Sequence, residues 1–356
     1  MPHVPPPGVS IHNKSKTFKG FTVFAPTRCK FAYLINMAGD VVHRWEINEG
    51  AINHAILLEN GNLFIGERGP EEPPIVVARG GRLREYDWDG KVVWDYVDNY
   101  HHHDARRLAN GNTAYLAWVA MPKKIQRRVK GGLKGTSASD GNIYGDVIRE
   151  VNPAGEIVWE WRCWEHMQVE KYPITAQYPR DEFGHANTLV PLAGGDYLIG
   201  FRVINTVAIV DRKSKKIKWE MRDDSWGGQH DPYILPNKNL MLFANGQLTS
   251  SVHPFSRVLE INMRTRKTVW EYRDHQVMNF WSGFISGAER LPNGNTLICE
   301  GAYGRFFEIT PAGETVWEYN NPFTGPSPLY GHQQNWVFRA HRYAANSPQI
   351  RRRVKQ

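Results

Sequence analysis

One phrase recurs six times along the 356 residues of this chain: an apolar strand, a turn and a second strand that ends near a tryptophan. Such repetition indicates an architecture assembled from one supersecondary unit, because a single unit cannot bury its own apolar face. The copies follow each other at intervals of roughly 47 to 65 residues, so we expect insertions within or between units. They end at His43, Trp94, Trp159, Trp219, Trp270 and Trp317.

A second phrase precedes most of these copies and predicts two further strands in each unit. It consists of a polar residue, a short apolar run and a turn rich in asparagine and glycine. Asn-Gly between two apolar runs is a strong hairpin signal. Four-stranded units of about 40 to 50 residues are typical of a β-propeller. The phrase begins at Asn53-His54, His103, His185, His230 and Ser286.

The two ends of the chain are expected to close the ring together. The upstream phrase has five copies and the downstream phrase has six, and residues 334–343 fit the missing strand. Pairing this strand with N-terminal strands at 21–26, 31–37 and 41–47 would remove an open sheet edge. We therefore predict an all-β fold, a six-bladed β-propeller with four-stranded blades, closed by a C-terminal strand that joins the N-terminal strands.

The prediction is a single domain over residues 1–356. It has an N-terminal arm at 1–20, a basic loop insertion at 120–146 and a basic tail at 345–356. Further insertions at 68–81 and 165–183 lie near the histidine-bearing strands, and long loops in a compact ring are often functional. We expect some of these insertions to shape the mouth of the channel.

Composition and charge argue against several classes of protein. No apolar run of 18 residues is present, which excludes a helical membrane span. The N-terminus lacks a basic segment followed by an apolar one, which predicts a cytoplasmic protein, or a periplasmic one if a leader has been removed. The three cysteines are too scattered for a disulfide framework. Oligomeric state is not indicated by any feature of the sequence.

The net charge of +8 is concentrated in residues 123–134 and 351–355. Positive charge of this kind attracts anions. Neither run interleaves aromatic residues that would stack on bases, so we expect a small anionic substrate and no nucleic acid. Solvated loops are the alternative interpretation of both runs.

The first strand of each blade lines the channel of a propeller, so its polar residues face one another. Three interpretations of the resulting histidine ring remain open. The imidazoles of His103, His185 and His230, with His54 or His332, would bind a transition metal; they would act as nucleophile and acid–base groups around an anion; or they would bond backbone across the channel. Nearby donors that suit an oxyanion are Asn187, Arg202 and Asn205. Asp104 and Asp231, which directly follow histidines, are expected to bond backbone at strand edges.

Several longer motifs carry a resemblance to a known family. They are Tyr-His-His-His-Asp at 100–104, His-Ala-Asn-Thr at 185–188, Gly-Phe-Arg at 200–202, Gly-Gln-His-Asp at 228–231, Phe-Ala-Asn-Gly at 243–246 and Ser-Gly-Ala-Glu-Arg-Leu-Pro-Asn-Gly-Asn at 286–295. From about residue 8 to 343 the chain resembles the PAPS-independent aryl-sulfate sulfotransferases, which are six-bladed propellers.

This resemblance implies roles for individual residues. His230 matches the histidine that accepts the sulfuryl group, which gives a sulfohistidine and ping-pong transfer from an aryl sulfate to a phenol. His103, His185, Asn187 and Arg202 match groups that hold the sulfate, and Ser286 stands where the family site has a hydroxyl residue. No cofactor would be needed. The chain departs from exported members that carry a disulfide near the nucleophile, since no cysteine lies between Cys163 and Cys299.

Three hypotheses follow. The first is a sulfotransferase-like enzyme with His230 as nucleophile and with Asn187, Asn205, Ser286, His54 and His332 as substrate-binding candidates. The second is a metal-dependent lyase, hydratase or oxidoreductase that uses the channel histidines as ligands. The third is a non-catalytic scaffold that binds a partner through its propeller faces and the basic loop.

Overall fold

The repeated phrases fold into antiparallel sheets arranged in a ring. The structure is a computed structural model and describes residues 6–52, 55–75, 77–247, 254–327 and 331–354. The strands of the first half of the chain are β1 (Gly8–His12), β2 (Gly20–Pro26), β3 (Phe31–Ile35), β4 (Val41–Glu46), β5 (Ile56–Leu57), β6 (Leu63–Arg68), β7 (Gly81–Tyr86), β8 (Val92–Val97), β9 (His101–Arg107), β10 (Thr113–Ala120), β11 (Tyr144–Val151) and β12 (Ile157–Arg162).

The second half continues the same pattern of short strands. They are β13 (Ala186–Pro191), β14 (Tyr197–Phe201), β15 (Thr206–Val210), β16 (Ile217–Arg222), β17 (His230–Ile234), β18 (Asn239–Ala244), β19 (Arg257–Asn262), β20 (Thr268–Tyr272), β21 (Gly287–Arg290), β22 (Thr296–Glu300), β23 (Arg305–Ile309), β24 (Thr315–Asn320), β25 (Gly325–Pro326), β26 (Gln333–Gln334) and β27 (Val337–Ala344). The small pair β25–β26 stands apart from the blades.

Six of the sheets are the blades of a propeller, as the sequence predicts. Five blades are built from consecutive strands, β5–β8, β9–β12, β13–β16, β17–β20 and β21–β24. In the sixth blade β27 pairs with β2, which pairs with β3 and then β4. The first strands contact one another in turn, from β9 through β13 and β17 to β21 and β27, so they line the centre of the ring.

The ring closes through the pairing of β27 with β2. The register runs antiparallel from Gly20 opposite Ala344 to Phe24 opposite Ala340. This confirms the predicted closure, in which a C-terminal strand completes the N-terminal blade. Both chain ends are thereby held in one sheet, which removes the edges that an open ring would expose.

The repeated tryptophan joins each blade to the next. Its indole Nε1 donates to a backbone carbonyl in the turn between the third and fourth strands of the following blade, and His43 places Nε2 2.9 Å from the carbonyl oxygen of Trp88 in the same way. The indole bonds are Trp94 to Pro153, Trp159 to Arg212, Trp219 to Met263, Trp270 to Pro311 and Trp317 to Met37, at 2.9 to 3.3 Å. One position therefore makes the same contact between blades around the whole ring.

The asparagine-rich turns have a local cause. The side-chain oxygen of Asn110 accepts from the backbone N–H of Asn112, and that of Asn293 accepts from Asn295. The glycine between them, Gly111 in the first turn, adopts a positive φ of 85° that suits a residue without a Cβ. These hairpins set the first and second strands of each blade in register.

Parts of the predicted arm and insertions are more ordered than the sequence suggests. Within the N-terminal arm, β1 pairs with β24 and covers the outer edge of that blade. The basic loop spans residues 121–143, because β10 runs to Ala120 and β11 begins at Tyr144. In the basic tail, Ile350 is fully buried against the core of the neighbouring blades.

The helical elements are short and lie in the loops. They are α1 (Lys123–Gln126), α2 (Cys163–His166) and 3-10 turns at Val169–Lys171, Asp224–Trp226, Val277–Asn279 and Gly301–Tyr303. Within the described ranges, none of them has the length and hydropathy needed to cross a membrane.

Candidate active site

The site is built where the inner strands β9, β13 and β17 begin. His103 lies in β9, His185 directly precedes β13 and His230 opens β17. Each of these strands has a register shift against its neighbour close to the histidine, whereas β21 pairs regularly with β22. His103 and His185 also adopt positive φ values of 50° and 53°. Bulges and strained backbone of this kind redirect side chains and cluster at functional sites.

The three imidazoles are brought together in the channel. The ring centroids of His103 and His185 are 4.5 Å apart in an edge-to-face arrangement. Phe338 of β27 lies between two of the histidines, with its centroid 6.1 Å from His103 and 6.2 Å from His230. All three histidines are buried. The structure therefore places the predicted central residues in one cluster.

His230 is held in a defined tautomer. Its Nδ1 lies 2.7 Å from Oδ1 of Asn245 and 3.1 Å from the carbonyl oxygen of Gly228. The amide of Asn245 is oriented by two donations from Nδ2, to the carbonyls of Ser282 and Ile285. Nδ1 thus faces two acceptors and carries the hydrogen, so the lone pair of the neutral ring is on Nε2.

His185 is backed by a carboxyl group instead of an amide. Its Nδ1 is hydrogen bonded to Oε1 of Glu182, and the indole of Trp118 donates to Oε2 of the same carboxyl group at 2.8 Å. Glu182 is almost completely buried. The orientation of the His185 ring is therefore fixed from behind, with Nε2 on the opposite side of the ring.

His103 is supported by a second histidine. Its Nδ1 is 2.8 Å from Nδ1 of His102, so one hydrogen stands between the two nitrogens. His102 stacks on Trp118 at 4.2 Å, and its Nε2 is 3.5 Å from Oδ1 of the buried Asp146. The same indole thus contacts the supports of both His103 and His185.

Burial sets the charge state of this cluster. Desolvation lowers the pKa of His103, His185 and His230 below the ordinary value, and the positive charge of Arg202 lowers them further. Desolvation also raises the pKa of Glu182 above the usual range of a carboxyl group. The imidazoles are therefore neutral at neutral pH, the state in which an imidazole has a lone pair for nucleophilic attack.

Arg202 supplies the positive charge beside the imidazoles. Its guanidinium lies over the ring of Tyr178 at 4.7 Å, and its backbone N–H donates to the carbonyl of His185. Tyr178 belongs to the insertion at 165–183 and its hydroxyl donates to Gln247. A Cβ on Gly228 would lie 2.6 Å from that hydroxyl, so the close approach requires glycine. Within the described residues the Arg202 Nε is buried without a hydrogen-bond partner.

Three of the predicted binding residues use their side chains inside the fold. Asn187 donates to the carbonyl of Gln229 and accepts from Thr188. Asn205 accepts from the backbone N–H of Gly228 at 2.7 Å and so fixes the loop before His230. The Ser286 hydroxyl donates to Ser282 and accepts from Gly301. These contacts position the neighbouring backbone.

The structure describes one of the two remaining histidines predicted for the site. His332 is exposed in the loop before β26, and its carbonyl accepts from Ser327. His54 lies outside the described residues. In the part of the chain that the structure describes, no group of three His, Cys, Asp or Glu side chains is placed to hold a metal ion.

Sequence patterns did not identify a buried network of hydrogen bonds and ion pairs next to the histidines. Arg339 of β27 is fully buried and donates to Asp104, to the carbonyl of Asn187 and to the hydroxyl of Thr188. Its Nε is also 3.1 Å from Asp231. The signal was available, because Arg339 is in the strand predicted to close the ring. Glu182 had no such signal, since it belongs to an irregular insertion.

The two aspartates that follow histidines bond backbone, as predicted. The Asp104 carboxylate accepts from the N–H of Leu189, and the Asp231 carboxylate accepts from the N–H of Ala288. In each case the partner is the inner strand of the next blade. Each of these aspartates therefore binds the backbone of the next inner strand, while the histidine directly before it belongs to the imidazole cluster.

The comparisons with known proteins agree with this fold. The family model of the arylsulfotransferases (ASST) matches residues 81–322. A protein of unknown function from Bacteroides caccae has a TM-score of 0.57 at 13% identity, covering 90% of this chain and 98% of that one. A streptogramin B lyase has a TM-score of 0.51 at 10% identity, covering 92% and 86%. At such identities the two structures indicate the fold alone. No curated protein matches the sequence significantly.

Proposed function

This chain belongs to the arylsulfotransferase family, and we propose that it transfers a sulfuryl group from an aryl sulfate to a phenolic acceptor through His230. The observation that carries the proposal is the tautomer of His230, which has its lone pair on Nε2 because Nδ1 faces Asn245 and Gly228. A neutral imidazole with a defined lone pair is a competent nucleophile.

The proposed reaction has two steps. In the first, His230 Nε2 forms a bond to sulfur while the bond between sulfur and the aryl oxygen breaks, and the electron pair leaves with that oxygen. In the second, the oxygen of an acceptor phenol bonds to sulfur, the S–N bond breaks and its electron pair returns to Nε2. Over the whole cycle the acceptor phenol gives up one proton and the departed aryl oxide takes up one, so the reaction balances. No redox change or organic cofactor is needed.

The surroundings of His230 support this chemistry. Sulfate oxygens beside Nε2 would lie in the positive field of Arg202, which already lowers the pKa of all three histidines. The rings of His103 and His185 lie next to each other, with their centroids 4.5 Å apart. Fixed donors of this kind stabilise charge that develops on oxygen and cost no reorganisation during the reaction. We propose that Arg202, His103 and His185 hold the sulfuryl group.

His230→Ala tests the nucleophile. Release of nitrophenol from p-nitrophenyl sulfate, with a phenol as acceptor, should fall by roughly 10³-fold or more, since the covalent route is lost. The matched control is His275→Ala, an exposed histidine outside the cluster, which should release nitrophenol at the rate of the unaltered protein. Turnover retained in His230→Ala would overturn the assignment.

Metal analysis of the active protein separates this proposal from the metal-dependent alternative. Acceptor-dependent release by protein that contains little metal supports the sulfuryl route. Stoichiometric transition metal without any release would favour a metal-dependent lyase, hydratase or oxidoreductase. Trapping sulfate on His230 after reaction with donor alone would establish the intermediate directly, by a mass increase on the peptide that contains this residue.

A further inference from the structure

The groups that hydrogen bond to Nδ1 differ among the three histidines, and this difference determines which ring nitrogen carries the hydrogen. His230 is backed by an amide and a carbonyl, which only accept hydrogen bonds at its Nδ1. His185 is backed by the carboxyl group of Glu182, which is able to donate a proton or accept one. Two histidines in one channel are therefore set up for different tasks.

Glu182 is placed as a proton donor to His185 by its own surroundings. The indole of Trp118 can only donate, and it occupies Oε2. Oε1 faces Nδ1 of His185. With the carboxyl group protonated, its hydrogen is directed at Nδ1, and the single N–H of the neutral imidazole then stands on Nε2. His185 presents a donor to the channel, whereas His230 presents a lone pair.

Burial favours the protonated form of Glu182 and outweighs the groups that favour the carboxylate. Asp146 of β11 and Asp181 are its acidic neighbours, and the charge of an ionised Glu182 raises the pKa of both of these carboxyl groups. The Trp118 hydrogen bond and the charge of Arg202 lower the pKa of Glu182. The carboxyl group is almost completely buried, and burial is the largest influence on its pKa, in the upward direction. His102 and Cys163 are titratable groups that interact with Asp146 on this side.

We propose that Glu182 is the proton reserve of the site: it keeps His185 as an Nε2–H donor and replaces the proton that His185 gives to the departing aryl oxygen. The proposal rests on the proposed function. As the S–O bond breaks, the aryl oxygen takes the Nε2 proton, and the Glu182 proton moves to Nδ1. His185 stays neutral and Glu182 becomes a carboxylate. The second step reverses this order when the acceptor phenol gives up its proton.

The test compares Glu182→Gln with Asp181→Asn. Both variants replace one acidic group of the same insertion by an amide, and the amide oxygen introduced by Asp181→Asn is still able to accept from the backbone N–H of Glu182, as the Asp181 carboxylate does. Rates are measured with p-nitrophenyl sulfate, whose leaving group needs little protonation, and with phenyl sulfate, whose leaving group needs much. The contrast between the two donors separates proton supply from general damage to the fold.

Glu182→Gln should lose less than about tenfold with p-nitrophenyl sulfate and roughly 10² to 10⁴-fold with phenyl sulfate, the range of general acid catalysis. Asp181→Asn should lose equally little with both donors. Equal losses on the two donors in Glu182→Gln would overturn the proton reserve and leave the sulfuryl route intact. Turnover in His230→Ala would overturn the proposed function instead.

A substrate-free measurement tests the same inference without turnover. Nitrogen-15 NMR of the His185 ring should show the hydrogen on Nε2 in the unaltered protein. In Glu182→Gln the amide oxygen should accept from Trp118 and the NH2 group should donate to Nδ1, so the hydrogen should stay on Nε2 and the variant removes only the transferable proton. A hydrogen on Nδ1 in the unaltered protein would overturn the proposal whatever the reaction proves to be.

Discussion

Two groups of buried side chains in the channel come from the same inner strands but make different kinds of contact. The first, here called the upper layer, is the cluster of His103, His185 and His230, in which Nδ1 of each ring is hydrogen bonded to a neighbouring side chain. The lower layer joins Asp104, Thr188 and Asp231 to the single guanidinium of Arg339. Each aspartate directly follows its histidine in the chain, and the register shifts in the inner strands turn the two side chains to different partners. The lower layer links β9, β13, β17 and β27 through Arg339, and the upper layer is where we place the chemistry.

The largest expected effect is on the lower layer. Arg339→Met should reduce the free energy of unfolding by roughly 3 to 5 kcal/mol, because it leaves two largely buried carboxylates without their shared partner. The check is chemical denaturation of this variant beside Arg264→Met, which removes an exposed arginine of a surface turn. An unchanged midpoint for Arg339→Met would show that the layer does not hold the blades together. If Arg339→Met does not fold, Asp231→Asn keeps the test open, with a smaller loss of the same sign.

A smaller effect should separate Ser286 from the histidines with which it shares a register. Ser286→Ala removes the acceptor of a buried N–H of Gly301, which should cost about 1 to 3 kcal/mol. The measurement pairs chemical denaturation with the Michaelis constant for the aryl sulfate donor. A Michaelis constant raised tenfold or more would return Ser286 to the binding role that the sequence predicts.

The smallest effect is the dependence of stability on pH. Burial raises the pKa of Glu182 to about 8 in the folded protein, so its contribution to stability is present below the unfolded pKa and is lost as pH rises through the folded value. The melting temperature of the unaltered protein should therefore fall by a few degrees between pH 5 and 8 relative to Glu182→Gln, which cannot ionise (~1 kcal/mol corresponds to a few degrees). Parallel curves of melting temperature against pH for the two proteins would show that ionisation of Glu182 does not reduce the stability of the fold.

The fold was within reach of the sequence because its signals are local and repeated. A tryptophan at the same point of successive units makes the same bond to the next blade, and the asparagine turns fix hairpins within a few residues. Repetition multiplies a weak signal, and the absence of one upstream phrase indicated that β27 closes the ring. His43 replaces the repeated tryptophan in the first copy, but its imidazole makes the same kind of contact with the carbonyl oxygen of Trp88.

The candidate site was predicted only in part. The convergence of His103, His185 and His230 follows from a shared register, and the structure places the three rings around Phe338 or against each other. The hydrogen bonds of Asn187, Asn205 and Ser286 join residues of different strands or loops, so sequence spacing did not show that their side chains are engaged within the fold. Glu182 and Tyr178 come from an irregular insertion whose path no periodicity describes.

The sequence by itself determined the number of blades, the strand order and the identity of the central histidines, because period and register are properties of the chain. Only the tertiary structure decided what each polar atom faces. Nδ1 of His230 faces an amide and that of His185 faces a carboxyl group. The protonation of a buried imidazole depends on the partners and the burial that folding supplies, so two histidines with the same place in the repeat acquire different chemistry.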